Sequence, residues 1–194
     1  MVLDCLANTT ELYGTNMFVK FKKKHNLKIP LELGTLGPRY GAYKESGYQM
    51  FNGDVEVQRQ LLKETIPEKY LEYFDCRLAV INKQIIVPHI DERLLAINFY
   101  IQTADATTSF YKIKDPSAPI KYIKETKTSW YREEELEFID SFHANPGDIW
   151  MLDTTHVHGV VCSSPVDRIA YTMDTLTITF TELKEILSDQ LESY

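Results

Sequence analysis

Between Leu94 and Gln102 large apolar residues fall on every odd position and polar ones on several even positions. Leu95, Ile97, Phe99 and Ile101 are large and apolar, while Asn98, Tyr100 and Gln102 occupy positions between and after them. Successive side chains of a strand point to opposite faces, so this stretch predicts a strand with a packed outer core on one side and a polar interior on the other. Alternation and β-branched residues predict further strands over 77–87, 109–113, 136–142, 149–152, 157–162 and 168–179. Helical spacing predicts helices over 55–63 and 67–74, the second opened by Thr65 as a cap with Pro67 in its first turn. A short helix is expected over 16–25, ending before Pro30, and an amphipathic one over 182–191 with Leu183, Ile186, Leu187 and Leu191 toward the body.

The connections carry their own signals. Residues 31–54 hold five glycines and several tyrosines, as expected of loop with short extended pieces. The polar stretch 115–134, with Pro116 and Pro119, reads as an insertion or lid. Asn145-Pro146-Gly147-Asp148 has the composition of a tight turn feeding a strand. With no repeat or low-complexity tract, the expectation is one domain over 1–194. It comprises a helical and loop region over 1–75, a strand-rich core over 76–180 and a C-terminal helix over 181–194.

The net charge of -7 gives no general attraction to nucleic acid or to an anionic membrane. The run Lys20-Phe21-Lys22-Lys23-Lys24 is a local exception, read as a solvated helix face. Cys5, Cys76 and Cys162 are odd in number and contain no Cys-x-x-Cys, which suggests neither a disulfide framework nor a thiolate metal site and fits a reducing cytoplasm. The start, Met1-Val2-Leu3-Asp4, lacks the basic-then-apolar order of a signal peptide, and no apolar run approaches the ~18–20 residues of a membrane span.

The candidate chemistry lies in two distant pieces. Pro88-His89-Ile90-Asp91 places an imidazole and a carboxylate two residues apart; His158 lies far downstream, and Arg168 follows ten residues later. Two imidazoles and one carboxylate leave about three of six octahedral positions open, the arrangement of a non-haem Fe(II) oxygenase site. A closed structural zinc site needs a fourth ligand, usually sulfur, and none is spaced for it. A guanidinium stays charged in a pocket and binds a carboxylate with two parallel hydrogen bonds. If 163–167 is a hairpin loop, Arg168 stands on the histidine side about four residues, roughly 13 Å, from His158, with room for a small dicarboxylate between. His156 shares parity with His158 and competes as third ligand. Arg93 either anchors a ligand or pairs with Glu92 or another surface carboxylate. Trp130 and Trp150 read as packing aromatics, with a substrate contact open for Trp130, and Cys162 as a small buried hydrophobe.

Taken together, His89-x-Asp91, His158-Gly159-Val160 and Arg168 resemble the 2-oxoglutarate and Fe(II)-dependent dioxygenases, nearest their prolyl, aspartyl and asparaginyl hydroxylase branch, over about residues 77 to 180. The resemblance implies a mainly β protein with flanking helices, built as a double-stranded β-helix (jelly-roll, cupin-like). It implies Fe(II) on His89, Asp91 and His158, His158 being preferred to His156 for its His-Gly-Val context. It also implies 2-oxoglutarate chelating through its keto-acid end while Arg168 pairs with the far carboxylate. Tyr100 falls where several members place a tyrosine on that carboxylate, and Asn98 on the same face is a second candidate. Some members carry Ser or Thr where this chain has Ala170, which leaves Tyr100 or Thr172 as substitutes. The implied reaction is hydroxylation of an amino-acid side chain, in a peptide or a small molecule, with O2 consumed and 2-oxoglutarate converted to succinate. The alternative is a non-catalytic cupin-like module that binds a metal or small acid, which has no need of an inward Arg168. A nucleic-acid demethylase on the same fold is disfavoured by the acidic balance and the lack of a broad basic groove.

Overall fold

The computed structural model describes residues 17–35, 47–117, 121–123 and 128–193, with the backbone alone for 121–123. Residues 36–46 of the glycine- and tyrosine-rich segment, residues 118–120 and 124–127 of the expected insertion, and Cys5 lie outside the described residues.

The described strands, in chain order, are β1 (Phe18–Lys20), β2 (Tyr48–Phe51), β3 (Asp75–Ile81), β4 (Ile85–Ile90), β5 (Leu95–Gln102) and β6 (Ala106–Ile113), then β7 (Lys121–Ile123), β8 (Thr128–Trp130), β9 (Leu136–His143), β10 (Ile149–Leu152), β11 (Val157–Cys162) and β12 (Arg168–Thr175). They form two antiparallel six-stranded sheets, ordered β1-β10-β5-β12-β3-β2 and β7-β8-β4-β11-β6-β9. From β3 to β6, and again from β10 to β12, each strand lies in the sheet opposite its predecessor. That alternation is the winding of a double-stranded β-helix, so the expected jelly-roll is the fold.

The β5 alternation is realised on both faces. Leu95, Ile97, Phe99 and Ile101 enter the main core on the outer side of the first sheet, under helix α1 (Val55–Thr65) and helix α2 (Phe180–Ile186). Burying each such side chain stabilises by roughly 1.5–3 kcal/mol. Ala96, Asn98 and Tyr100 face inward and line the cavity between the sheets. A second cluster closes the far end of the sandwich, where the Phe142 and Trp150 rings stack at 4.2 Å and Phe18 lies 5.3 Å from Phe110.

Several expectations are corrected by contacts made across the fold. The strand expected over 77–87 is two strands, because Asn82, Lys83 and Gln84 carry the chain from one sheet to the other. The helix expected over 16–25 is strand β1 followed by extended chain. Its lysines are not a solvated helix face: Lys20 and Lys24 both reach the buried Asp148 carboxylate at 3.1 and 3.3 Å, while Lys22 and Lys23 donate to the carbonyls of Asp189 and Glu64. Residues 68–73 form a 3-10 helix with Pro67, not Thr65, at its N-cap, and Thr65 is the last residue of α1. β12 stops at Thr175, whose hydroxyl accepts the N–H groups of Thr177 and Ile178 and turns the chain toward α2. α2 begins at a Thr179–Glu182 capping box; Leu183, Leu187 and Leu191 enter the core, but Ile186 is exposed. The stretch 115–134 supplies β7 and β8, and β8 extends the second sheet beside β4.

Candidate metal centre

His89 near the end of β4 and His158 on β11 are cross-strand partners, their rings 4.5 Å apart, and Asp91 follows just beyond β4. One ligand atom from each of His89, Asp91 and His158 lies within 4.8 Å of the others. The orientation of each imidazole is set by backbone. His89 Nδ1 meets the Val87 carbonyl at 2.8 Å, and His158 Nδ1 meets the His156 carbonyl at 2.9 Å. A carbonyl can only accept, so both Nδ1 atoms carry the proton and both Nε2 lone pairs are left for a metal. Those Nε2 atoms stand 3.5 and 3.8 Å from the two Asp91 oxygens. Gly159 permits the strands to approach: a Cβ there would sit 3.2 Å from the Ile86 carbonyl oxygen and 3.4 Å from Pro88, where the β4–β11 register shifts.

The electrostatics favour a cation. Burial, reinforced by the neighbouring His89, pushes His158 down to about 4, so it is a neutral donor near pH 7. Burial works against ionising Asp91, but the Arg93 guanidinium and the two imidazoles hold its carboxyl well below the usual carboxylate range. Thr154 ties the two halves of the group together. Its hydroxyl donates to the Arg93 carbonyl at 2.6 Å, and its own carbonyl accepts the Asp91 N–H at 3.2 Å.

At the other end of the same cavity lies Arg168. The expected hairpin register is wrong, since β11 and β12 belong to different sheets. Arg168 instead faces the interior from the first sheet. Its Nη2 donates to the Tyr100 hydroxyl at 2.6 Å and to the Thr108 hydroxyl, on the opposite sheet, at 3.3 Å. Its Nη1 is buried with no hydrogen-bond partner among the described residues. Asn98 Nδ2 also donates to the Tyr100 hydroxyl, at 3.3 Å, and Thr172 donates to Asn98 Oδ1 at 2.8 Å. With both acceptor positions of its oxygen used, Tyr100 keeps its own proton for a ligand. Ala79 and Ala170 are ladder partners and keep the floor of the cavity low beside Arg168. The cavity measures about 930 Å³.

His156 sits in the turn before β11, its Nδ1 3.1 Å from Asp153 Oδ2, and serves His158 through its backbone. Arg93 pairs with Asp91 itself and with Asp174. Trp130 is the ladder partner of His89 and lines the cavity, whereas Trp150 packs. Cys162 is buried. The sequence alone does not point to Thr108, Thr154 or Asp174, although Asp174 shares the parity of Arg168 and Thr108 that of Phe110.

No family model matches the chain, and no curated protein matches it. Among solved structures it is similar to the E. coli protein ycfD (14% identity, TM-score 0.44, covering 89% of this chain and 44% of that one). It is also similar to the epimerase SnoN, solved with Fe3+, alpha-ketoglutarate and nogalamycin RO (13%, 0.42, covering 66% and 62%). A third is vicilin from hazelnut, Corylus avellana (9%, 0.40, covering 75% and 31%). The chain spans less than two thirds of the length of each of these three. Among the described residues no helix is long and apolar enough to cross a membrane.

Proposed function

We propose that the protein is a non-haem Fe(II)- and 2-oxoglutarate-dependent oxygenase that hydroxylates an amino-acid side chain in a peptide or small molecule. The observation that carries the proposal is the buried Arg168 Nη1, without a hydrogen-bond partner among the described residues, in the same cavity as the inward-facing His89, Asp91 and His158 donors. Two imidazole nitrogens and one carboxylate suit a divalent ion with room for further ligands. A buried guanidinium with no carboxylate partner suits an anion.

In this reading His89, Asp91 and His158 hold Fe(II), and Arg168 and Tyr100 hold the far carboxylate of 2-oxoglutarate. When bound, the iron and keto acid supply oxidative decarboxylation to succinate and CO2 coupled to hydroxylation by O2. The chain orients and shields. Arg168 Nη1 and the Tyr100 proton both donate to the carboxylate; Thr108 holds the guanidinium from the facing sheet, and Asn98 and Thr172 hold the phenol. Asn98 thus acts on the ligand through Tyr100. The two alanines of the floor leave space between Arg168 and the histidines, and burial keeps water from competing for the donors.

Calorimetric titration of 2-oxoglutarate into Mn(II)-loaded protein tests the assignment. Binding that needs both Mn(II) and the Arg168 guanidinium is expected; binding that ignores either contradicts it.

A further inference from the structure

We infer that Arg93, anchored by Asp174, restricts Asp91 to a one-oxygen metal contact and thereby keeps a coordination position open; this rests on the metal reading above. A carboxylate can offer a metal one oxygen or two. Here the oxygens are not equivalent. Arg93 Nε donates to Asp91 Oδ2 at 3.1 Å, and Arg93 Nη2 contacts the same oxygen. Oδ1 accepts no hydrogen bond among the described residues and stands 3.5 Å from His89 Nε2. The planar fork of a guanidinium makes a directional contact of this kind, which an ammonium would not reproduce.

Arg93 is itself held from the opposite sheet. Its Nη1 lies 3.4 Å from Oδ2 of Asp174, on β12, while Arg93 follows β4. The side chains of Asp91, Arg93 and Asp174 are 10%, 19% and 14% exposed, so water competes weakly for these contacts. The Arg93 backbone is pinned by the Thr154 hydroxyl. All three guanidinium nitrogens therefore meet carboxylates of the chain, which makes Arg93 a positioning residue and not a second anion site.

The consequence is a count of open positions. With one oxygen from Asp91, two imidazoles leave about three of six positions; with two oxygens they leave about two, and a chelating keto acid would fill both.

The test counts waters on Mn(II) in the 194-residue protein, from the line broadening that water labelled with a magnetic oxygen isotope produces in the Mn(II) EPR spectrum. About three waters are expected in the wild type and about two in Arg93→Met, where Asp91 is free to turn both oxygens to the metal. Equal counts in the two proteins overturn the inference while leaving the metal reading intact. Should Arg93→Met not fold, the infrared difference spectrum of the wild type on Mn(II) binding decides. Carboxylate stretches spread wider than in a free carboxylate support one-oxygen binding, and stretches drawn closer together overturn it. Failure of the wild type to bind Mn(II) at all overturns the metal reading and this inference with it.

Discussion

The cavity contains two arginines in opposite states, Arg93 half-buried and Arg168 buried. Arg93 is matched on every nitrogen, by Asp91 on its own segment and Asp174 across the sandwich. Arg168 lies over the Tyr100 ring and hydrogen-bonds only to hydroxyls, and its Nη1 has no hydrogen-bond partner among the described residues. A buried charge is tolerated when it is paired, and removing one partner of such a pair costs a few kcal/mol. The matched arginine therefore belongs to the architecture of the His-Asp-His group. The unmatched one carries a cost that a bound carboxylate would offset. Arginine at a cavity wall is informative chiefly through what it lacks.

The sharpest way to break this contrast is Asp91→Ala. It removes the charged donor and strands Arg93, so Mn(II) affinity should fall by at least about 100-fold, more than the loss of an outer partner of a metal ligand; calorimetry showing undiminished affinity would contradict the group. Arg168→Ala should leave Mn(II) binding intact and weaken 2-oxoglutarate by about 10- to 100-fold, through loss of hydrogen bonds between charged groups.

Acid should act on the metal end through His158. His158 is held at about 4 against an ordinary 6.5, a folded value below the unfolded one. Its contribution to stability is thus full above pH 6.5 and is lost as pH falls through about 4. The thermal midpoint of metal-free protein should drop across that window, and His158→Asn should flatten the drop; an unchanged profile in the variant would show that another group is responsible. The smallest effect is expected for Tyr100→Phe, which removes one neutral donor and should cost about 0.5–1.5 kcal/mol of 2-oxoglutarate affinity with no change in Mn(II) binding.

The sequence disclosed local periodicity well and distant pairing poorly. The two faces of β5 were legible because alternation belongs to the strand itself, and the matching strand ranges of β10 and β11 follow for the same reason. Arg168 was placed beside the histidines through a hairpin that does not form; the chain crosses to the other sheet, and the guanidinium arrives from across the cavity. Asp174 lies 81 residues from Arg93 and Asp148 well over a hundred from Lys20 and Lys24, separations at which spacing carries no signal. A charge next to a candidate ligand looks like a surface pair until its distant partner is known. Inward parity along β12, shared by Arg168, Ala170, Thr172 and Asp174, was the available clue to that partner.

The central claim is that the metal donors and Arg168 serve one iron-dependent reaction of one keto acid. Its most direct test is succinate formation from 2-oxoglutarate by purified protein given Fe(II), ascorbate and O2, without added substrate. Slow turnover that disappears in both Asp91→Ala and Arg168→Ala is the predicted result. No succinate above the level of the two variants would contradict an oxygenase and leave a cavity that binds without turnover.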